Sequence, residues 1–409
     1  MRPNPIKVIF LTSGYPRGEN DTAAVFLRYL AEGLTAQNFE VHVLAPSNGG
    51  GETKREGGVT VHRFQYFPRR WQKLAYGSGI MPNLKRSPWL WLQVPFFSMS
   101  MTWSLIRLLA AQRFDLIHAH WILPQGLVGL LGASLFRLPL VVTAHGTDAF
   151  ALRGKLTTWL KRLVVQKSHA WSTNTLTTAE VLTRNSSMHQ PRIIPMGVDT
   201  IRFASGHGDA LRRELNDGES VVLFVGRLID AKGCDDLIEA ISLLPARRQS
   251  QTSLWVVGDG DERERLAQAA RELGISHRTK FFGLVSHVRL PDFYAAADIV
   301  VIPSKLGSAG EMEGQGIVAL EAFAARACVL ATNIGGLTSM VRNGATGLLV
   351  EPGSPQSLSH AIERLLDEPE SRRTFADNAF SEVAAKYSWE HIAGEFEKLY
   401  DDVLVAYRS

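Results

Sequence analysis

Short apolar runs alternate with amphipathic helical patterns along this chain, and that alternation constrains the fold more than any other feature. The first series occupies residues 7–12, 41–45, 115–118, 140–143 and 192–195. A second series follows at residues 220–226, 254–258, 280–283, 298–303, 329–332 and 347–350. Strands that read as unbroken apolar runs are buried on both faces, and strands joined through helices run parallel. Each series therefore predicts an α/β layer built on a doubly wound parallel sheet. A chain of 409 residues is long for one core of this kind. The expected domains are 1–200 and 201–385, both Rossmann-like, with the glycine- and charge-rich stretch 198–218 at their boundary. In the remaining segment, 386–409, Ile392, Phe396, Leu399 and Val403 share a helical face, so this helix is expected to cross back to the first domain.

Composition excludes several classes. Apolar residues make up 45% and charged residues 21% of the chain, ordinary values for a soluble globular protein. A net charge of +4 is too small to argue for nucleic acid as a partner. Cys234 and Cys328 both fall in segments that read as buried, so no disulfide framework is expected. No secretory leader is seen ahead of residues 7–12, and a cytoplasmic setting is expected.

Charge is nevertheless uneven. Residues 57–114 contain no acid, but they hold Arg63, Arg69, Arg70, Lys73, Lys85, Arg86, Arg107 and Arg113 among many aromatics. Within them Trp89-Leu-Trp-Leu-Gln-Val-Pro-Phe-Phe97 continues largely apolar to Ile106, interrupted by Pro95. Two readings stand side by side. One is peripheral contact with an anionic membrane surface, the other a buried helix followed by a solvated basic loop.

In doubly wound sheets ligands bind beyond the carboxyl ends of the strands, where Gly14, His118, His120 and His145 all fall. The first turn, Ser13-Gly14-Tyr15-Pro16, lacks Gly-x-Gly-x-x-Gly, which argues against a dinucleotide-dependent oxidoreductase. Gly14 is either a plain turn glycine or a point where backbone approaches a phosphate. In Thr143-Ala-His-Gly-Thr-Asp148, His145 stands at a strand end, with Thr147 or Asp148 able to cap the next helix. His118, His120 and His145 could also supply three nitrogens to zinc, as in a metal-dependent hydrolase, although no carboxylate is evident nearby to orient the rings.

The second half carries charge at its strand ends. In Gly226-Arg-Leu-Ile-Asp-Ala-Lys-Gly233, Arg227 can reach an anion as a fork and Lys232 as a point charge. Asp259-Gly-Asp261 resembles a metal-binding pair but sits between strand and helix, where a turn and an N-cap are expected. Glu313-Gly-Gln-Gly-Ile-Val-Ala-Leu-Glu321 sets one carboxylate in a loop and the other in a helix starting near Gln315. Helical side chains tilt toward the N-terminus, so Glu321 leans back toward Glu313. Between them the amides of Gly314, Gln315 and Gly316 are expected to be free donors at the positive end of the helix. Hydroxyl acceptors flanking phosphate donors match the outline of a sugar nucleotide. The plainer alternative is two glutamates on solvated faces.

Taken together, Gly14, Thr143-Ala-His145-Gly, Gly226-Arg227 with Lys232, Val257-Gly-Asp-Gly260 and Glu313-x7-Glu321 resemble the retaining glycosyltransferases of family 4. Ile194-Pro-Met-Gly-Val-Asp199 and Gly335-Gly336 followed by Gly344-x-x-Gly347 fit the same pattern, which spans nearly the whole chain. The resemblance implies a GT-B fold, two facing Rossmann-like domains with the donor between them. It implies that Arg227 and Lys232 stabilise the departing diphosphate, Glu313 holds sugar hydroxyls, Glu321 holds the ribose and His145 sits at the sugar. Gly14, Gly226, Gly283, Val285, Gly314, Gln315, Gly316 and Ile317 complete the implied donor site, with the base read by backbone near Gly283 and Val285. No metal and no cofactor are implied. The expected reaction moves a sugar from a nucleotide-sugar donor to a glycan or lipid-linked acceptor, in bacterial polysaccharide or glycolipid synthesis at the inner face of the cell membrane. A nucleotide-sugar epimerase on the same scaffold and a binding protein without turnover are the alternatives. Three positions depart from the family pattern: the first turn lacks a second glycine, Ala325-Arg326-Ala-Cys328 replaces a Cys-Gly before proline, and Met196 replaces a frequent asparagine.

Overall fold

The computed structural model describes residues 4–18, 21, 23–47, 53–77, 79–150, 152, 154–184, 188–215, 220–308 and 312–409. Residues 216–218 of the expected boundary stretch lie outside them, as does the Thr147 side chain. The chain divides into two compact units, Met1–Pro195 with Trp389–Ser409, and Met196–Ser388.

In the first unit, strands β1 (Ile6–Leu11), β2 (Phe39–Pro46), β3 (Thr53–Glu56), β4 (Val59–Phe64), β5 (Leu116–His120), β6 (Leu140–Ala144), β7 (Ala170–Thr173) and β8 (Arg192–Ile193) form one sheet. Their order is β3-β4-β2-β1-β5-β6-β7-β8, parallel throughout except where β3 pairs antiparallel to β4 at the edge. The order reverses at β1 and β5, where Phe10 lies level with His118. Residues 57–114 open with β4, which neither sequence reading of that segment contains. They continue through the helices Ile80–Arg86 and Gln93–Ala111. The strand β7 also escapes the apolar pattern because half of it, Ser172 and Thr173, is polar although buried.

The last helix, Trp389–Arg408, belongs to this unit and lies against the helix Val25–Ala36. It buries Ile392, Phe396, Leu399, Tyr400 and Val403 on one face, as its spacing predicts. The approach is close at Gly33, where a Cβ would stand 3.3 Å from the Trp389 carbonyl oxygen.

In the second unit, β9 (Ser220–Val225), β10 (Thr252–Val257), β11 (Thr279–Gly283), β12 (Ile299–Ile302), β13 (Cys328–Thr332) and β14 (Leu348–Val350) form a wholly parallel sheet in the order β11-β10-β9-β12-β13-β14. Val221 and Leu223 face one side with Trp255, Ala319 and Phe323, while Val222 and Phe224 face the other with Leu237, Ile241 and Ile362. Burial on both faces is why these strands read as unbroken apolar runs. The strand order reverses between β9 and β12, and in such a sheet the crevice at that reversal is the place for a ligand.

Candidate active site

Beyond β9 the chain passes Gly226 and Arg227, then makes the tight turn Asp230–Lys232. Gly233 follows with φ of 65°, and a Cβ there would stand 1.9 Å from the Pro303 carbonyl oxygen at the end of β12. Only glycine lets this turn seat against its neighbour. The seating brings Lys232 to Glu313: Nζ donates to Oε2 at 2.5 Å, and Ser304 Oγ donates to the same oxygen at 3.0 Å.

Glu313 is 10% exposed. Burial alone pushes its carboxyl up, but the Lys232 charge and hydrogen bonds from Lys232, Ser304 and the Gly316 amide outweigh it. The net result is a carboxylate held below its usual range and ionised at neutral pH. The loop is fixed from behind by Gly335 and Gly336, where a Cβ would fall 2.3 Å from the Glu313 carbonyl oxygen and 2.2 Å from that of Gly314. Arg227, by contrast, is exposed, and its guanidinium has no ion-pair partner among the described residues. Lys232 is thus joined to Glu313.

The helix Ile317–Ala324 begins later than Gln315, with Gly316 at its N-cap in a left-handed conformation. The Gly316 amide, one of the expected donors, is among the groups that keep the Glu313 carboxylate ionised. Gln315 is buried, and its side chain grips Met196: Nε2 donates to the Met196 carbonyl at 2.9 Å and Oε1 accepts from the Met196 amide at 2.9 Å. Ile317 occupies the first helical position. Glu321 is 9% exposed and accepts a 2.7 Å hydrogen bond from the Tyr294 hydroxyl. Burial pushes its carboxyl up to about 7, against the opposing hydrogen bond from Tyr294. Gly283 is buried and accepts at its carbonyl from the Gly258 amide at 2.8 Å, while Val285 is half-buried. Asp259 accepts from the Gly260 amide at 2.8 Å and makes the expected turn, but the helix Arg263–Glu272 is preceded by Glu262, so neither aspartate is its N-cap.

In the first unit, the carboxyl ends of β5, β6 and β7 carry a neutral polar cluster. His145 Nε2 faces His120 Nδ1 at 3.4 Å, and its Nδ1 faces the Asn174 amide nitrogen at 3.3 Å. Asp148 does not cap from outside: it lies within the short helix Gly146–Phe150 and reaches back to the His145 amide at 2.8 Å, accepting also from the Ile122 amide at 3.0 Å. Burial pushes His118 and His145 down to about 3 and His120 well below the usual range, so all three are neutral at physiological pH. Burial raises Asp148 to about 7, with the amides of His145 and Ile122 opposing.

The zinc alternative fails on this geometry. His118 meets Tyr400 Oη at 2.7 Å with Nδ1 and Thr143 Oγ1 at 2.7 Å with Nε2, leaving no nitrogen for a metal. Among the described residues no group of three or more His, Cys, Asp or Glu side chains could hold a metal ion. Gly14 exchanges hydrogen bonds with the Thr12 hydroxyl, and a Cβ there would meet only Ala24, at 3.7 Å. Sterics inside the protein therefore do not require glycine at position 14.

Asn174, Ser304 and Tyr294 are the contacts that sequence reasoning missed. Asn174 follows the unread strand β7, and Tyr294 meets Glu321 from the separate helix Leu290–Ala296. Only Ser304, directly after the apolar run at 298–303, carried a readable signal.

Known proteins share this organisation. Residues 210–382 match the family described as glycosyl transferases group 1, and residues 23–202 match glycosyltransferase family 4. An uncharacterized glycosyltransferase of Methanocaldococcus jannaschii is 28% identical over 97% of this chain and 98% of its own. The D-inositol 3-phosphate glycosyltransferase of Corynebacterium jeikeium is 33% identical over 71% of this chain and 73% of its own. The structure of sucrose-phosphate synthase from Thermosynechococcus elongatus superimposes with a TM-score of 0.80 at 25% identity, covering 98% of this chain and 100% of that one. Anabaena HepE in complex with UDP does so with a TM-score of 0.76 at 20% identity, covering 97% and 100%.

Proposed function

The chain belongs to glycosyltransferase family 4, a GT-B enzyme of the hexosyltransferase type, and from that membership we propose a retaining, metal-independent transfer from a nucleotide-sugar donor. The acceptor is a glycan or a lipid-linked sugar, and the setting is polysaccharide or glycolipid synthesis at the inner face of the cell membrane. The observation that carries this reading is the Lys232–Glu313 pair at the β9–β12 reversal, with the unpaired Arg227 beside Gly226.

When the bond between sugar carbon and phosphate oxygen breaks, both electrons leave with the diphosphate. Arg227 and Lys232 are the cations to receive that charge, and preorganised donors of this kind are each worth about 10²–10³ in rate. Glu313, kept ionised, accepts from hydroxyls of the transferred sugar, and Glu321 accepts from the ribose. His145, being neutral, sits at the sugar and is not a proton source. HepE binds UDP, which makes uridine the first base to try.

The test begins with a thermal-shift panel of uridine, guanosine and adenosine diphosphates. The protein is then incubated with the matching nucleotide sugars in EDTA, with and without acceptor glycans. The expected result is one stabilising diphosphate and its release from the sugar, slow to water and faster to acceptor, with the anomeric configuration kept. Epimerised donor with the diphosphate still attached would assign the scaffold to isomerisation, and unchanged donor would leave only binding.

A further inference from the structure

The helix Gln93–Ala111 is apolar on two sides. Gln93, Phe97, Met101, Leu105 and Leu109 form the stripe buried in the first unit. On the other side Phe96, Met99 and Trp103, with Leu92 just ahead of the helix, form a second stripe that is between 50% and 69% exposed. Trp89 and Trp91, in the turn leading into the helix, are about half exposed as well. An amphipathic helix of a soluble domain turns one apolar stripe inward, and a contiguous outer one marks a surface that something covers.

The rim of this surface is basic. Buried Gln93 donates from Nε2 to the Trp71 carbonyl at 2.7 Å and accepts at Oε1 from the Lys73 amide at 3.4 Å. Phe67 packs edge-on against Phe96 with ring centroids 5.5 Å apart. These ties set the turn Arg69–Trp71 and Lys73 beside the start of the exposed stripe, where Arg69, Arg70 and Lys73 are themselves exposed. Arg107 lies one turn beyond Trp103, also exposed, and residues 57–114 contain no acid.

We propose that this face docks on an anionic lipid bilayer, with the helix lying flat at headgroup level. Tryptophan is favoured at that depth, and an apolar stripe rimmed by cations is what an interfacial helix presents. The span Pro88–Ala111 is long and apolar enough to cross a membrane by length and composition, but crossing would pull Phe97, Met101, Leu105 and Leu109 out of the core. A two-fold contact with a second copy would set the basic rim against itself. The docking gives the lipid-linked branch of the proposed acceptor a surface to be met on. It rests on that reading for its purpose, not for its measurement.

The test is flotation of the whole protein with vesicles of phosphatidylcholine alone or with 30% phosphatidylglycerol, at low and high salt. Binding is expected only to the anionic vesicles and is expected to fall as salt rises. Two variants separate the parts. Arg69→Glu/Arg70→Glu/Lys73→Glu should weaken binding about a hundredfold or more. Trp91→Ser/Phe96→Ser/Trp103→Ser should weaken it about tenfold or more, and both should keep the wild-type melting temperature and nucleoside diphosphate shift. Equal binding of wild type and both variants would overturn the proposal, as would no binding to anionic vesicles. A dimer in sedimentation that the apolar variant dissolves, without vesicle binding, would assign the face to self-association instead. A retained diphosphate shift without vesicle binding removes the docking and leaves the transferase reading standing.

Discussion

In the first unit the polar side chains buried at strand ends are imidazoles, held by Tyr400, Thr143 and Asn174. In the second the strand ends carry a half-buried ammonium and carboxylate, held by each other. Both sheets are doubly wound, so the difference lies in how each meets the cost of burying polarity. An imidazole escapes that cost by giving up its proton. A lysine and a glutamate keep their charges by pairing, and then remain available to a charged ligand. Neutral donors suit sugar hydroxyls, and paired ions suit a leaving diphosphate.

The comparison can be broken most directly at Lys232. Lys232→Met should lower turnover by about 10²–10³ and strand Glu313 as a buried carboxylate without its cation. Pairing it with Glu313→Gln should restore the melting temperature but not the rate. If the double variant regained wild-type turnover in steady-state assays, Lys232 would be only a counter-ion, and the proposed division of labour would be lost.

Acid should act on the two units in opposite directions. His118 and His145 sit at about 3 in the fold, below the ordinary imidazole value near 6.5, so their contribution is complete above 6.5 and is lost as pH falls toward 3. His120 acts in the same sense, while Asp148, raised from 3.8 to about 7, opposes across that interval. Three imidazoles outweigh one carboxylate, so the net effect in this unit is a loss of stability as pH falls. In the second unit Glu321, raised from 4.5 to about 7, adds stability as pH falls through that window. Glu313, held below its ordinary value, adds no loss until lower pH. Hydrogen exchange at pH 6.5 and 5, corrected for intrinsic rates, should show β5 and β6 losing protection while β12 and β13 keep theirs. Earlier loss in β12 would reverse the assignment.

The smallest effect is expected at Glu321. Donor affinity should rise up to about tenfold between pH 6 and 8 as the carboxyl ionises, since hydrogen bonds to a charged acceptor are the stronger ones. Glu321→Gln should flatten that rise in calorimetric titrations. A rise that persists in the variant would move the titrating group elsewhere.

The second sheet was legible strand by strand because its inner members β9, β10, β12 and β13 are apolar runs buried on both faces, and the half-buried edge strands β11 and β14 each keep a short apolar stretch. The first was legible only in part. β4 alternates Val, Thr, Val, His along an edge region, and β7 buries a serine and a threonine, so neither stands out by hydropathy. At the site, spacing in the sequence pointed to Lys232, Glu313 and Glu321, each later found buried or half-buried in a specific contact. It could not say that Lys232 closes onto Glu313, because that depends on how the β9 turn is pressed against β12. The histidines show the converse: three were visible, but the partners that hold two of them, Tyr400 and Asn174, are remote in sequence.

Gln315 does for Met196 what a neighbouring strand would do, answering both halves of one peptide with a single amide. The segment between Glu313 and the helix is thereby stitched to main chain more than a hundred residues away, and its shape is set when the unit folds. The proposed sugar nucleotide would meet a mould already cast there, so the entropy of arranging it would not weaken binding.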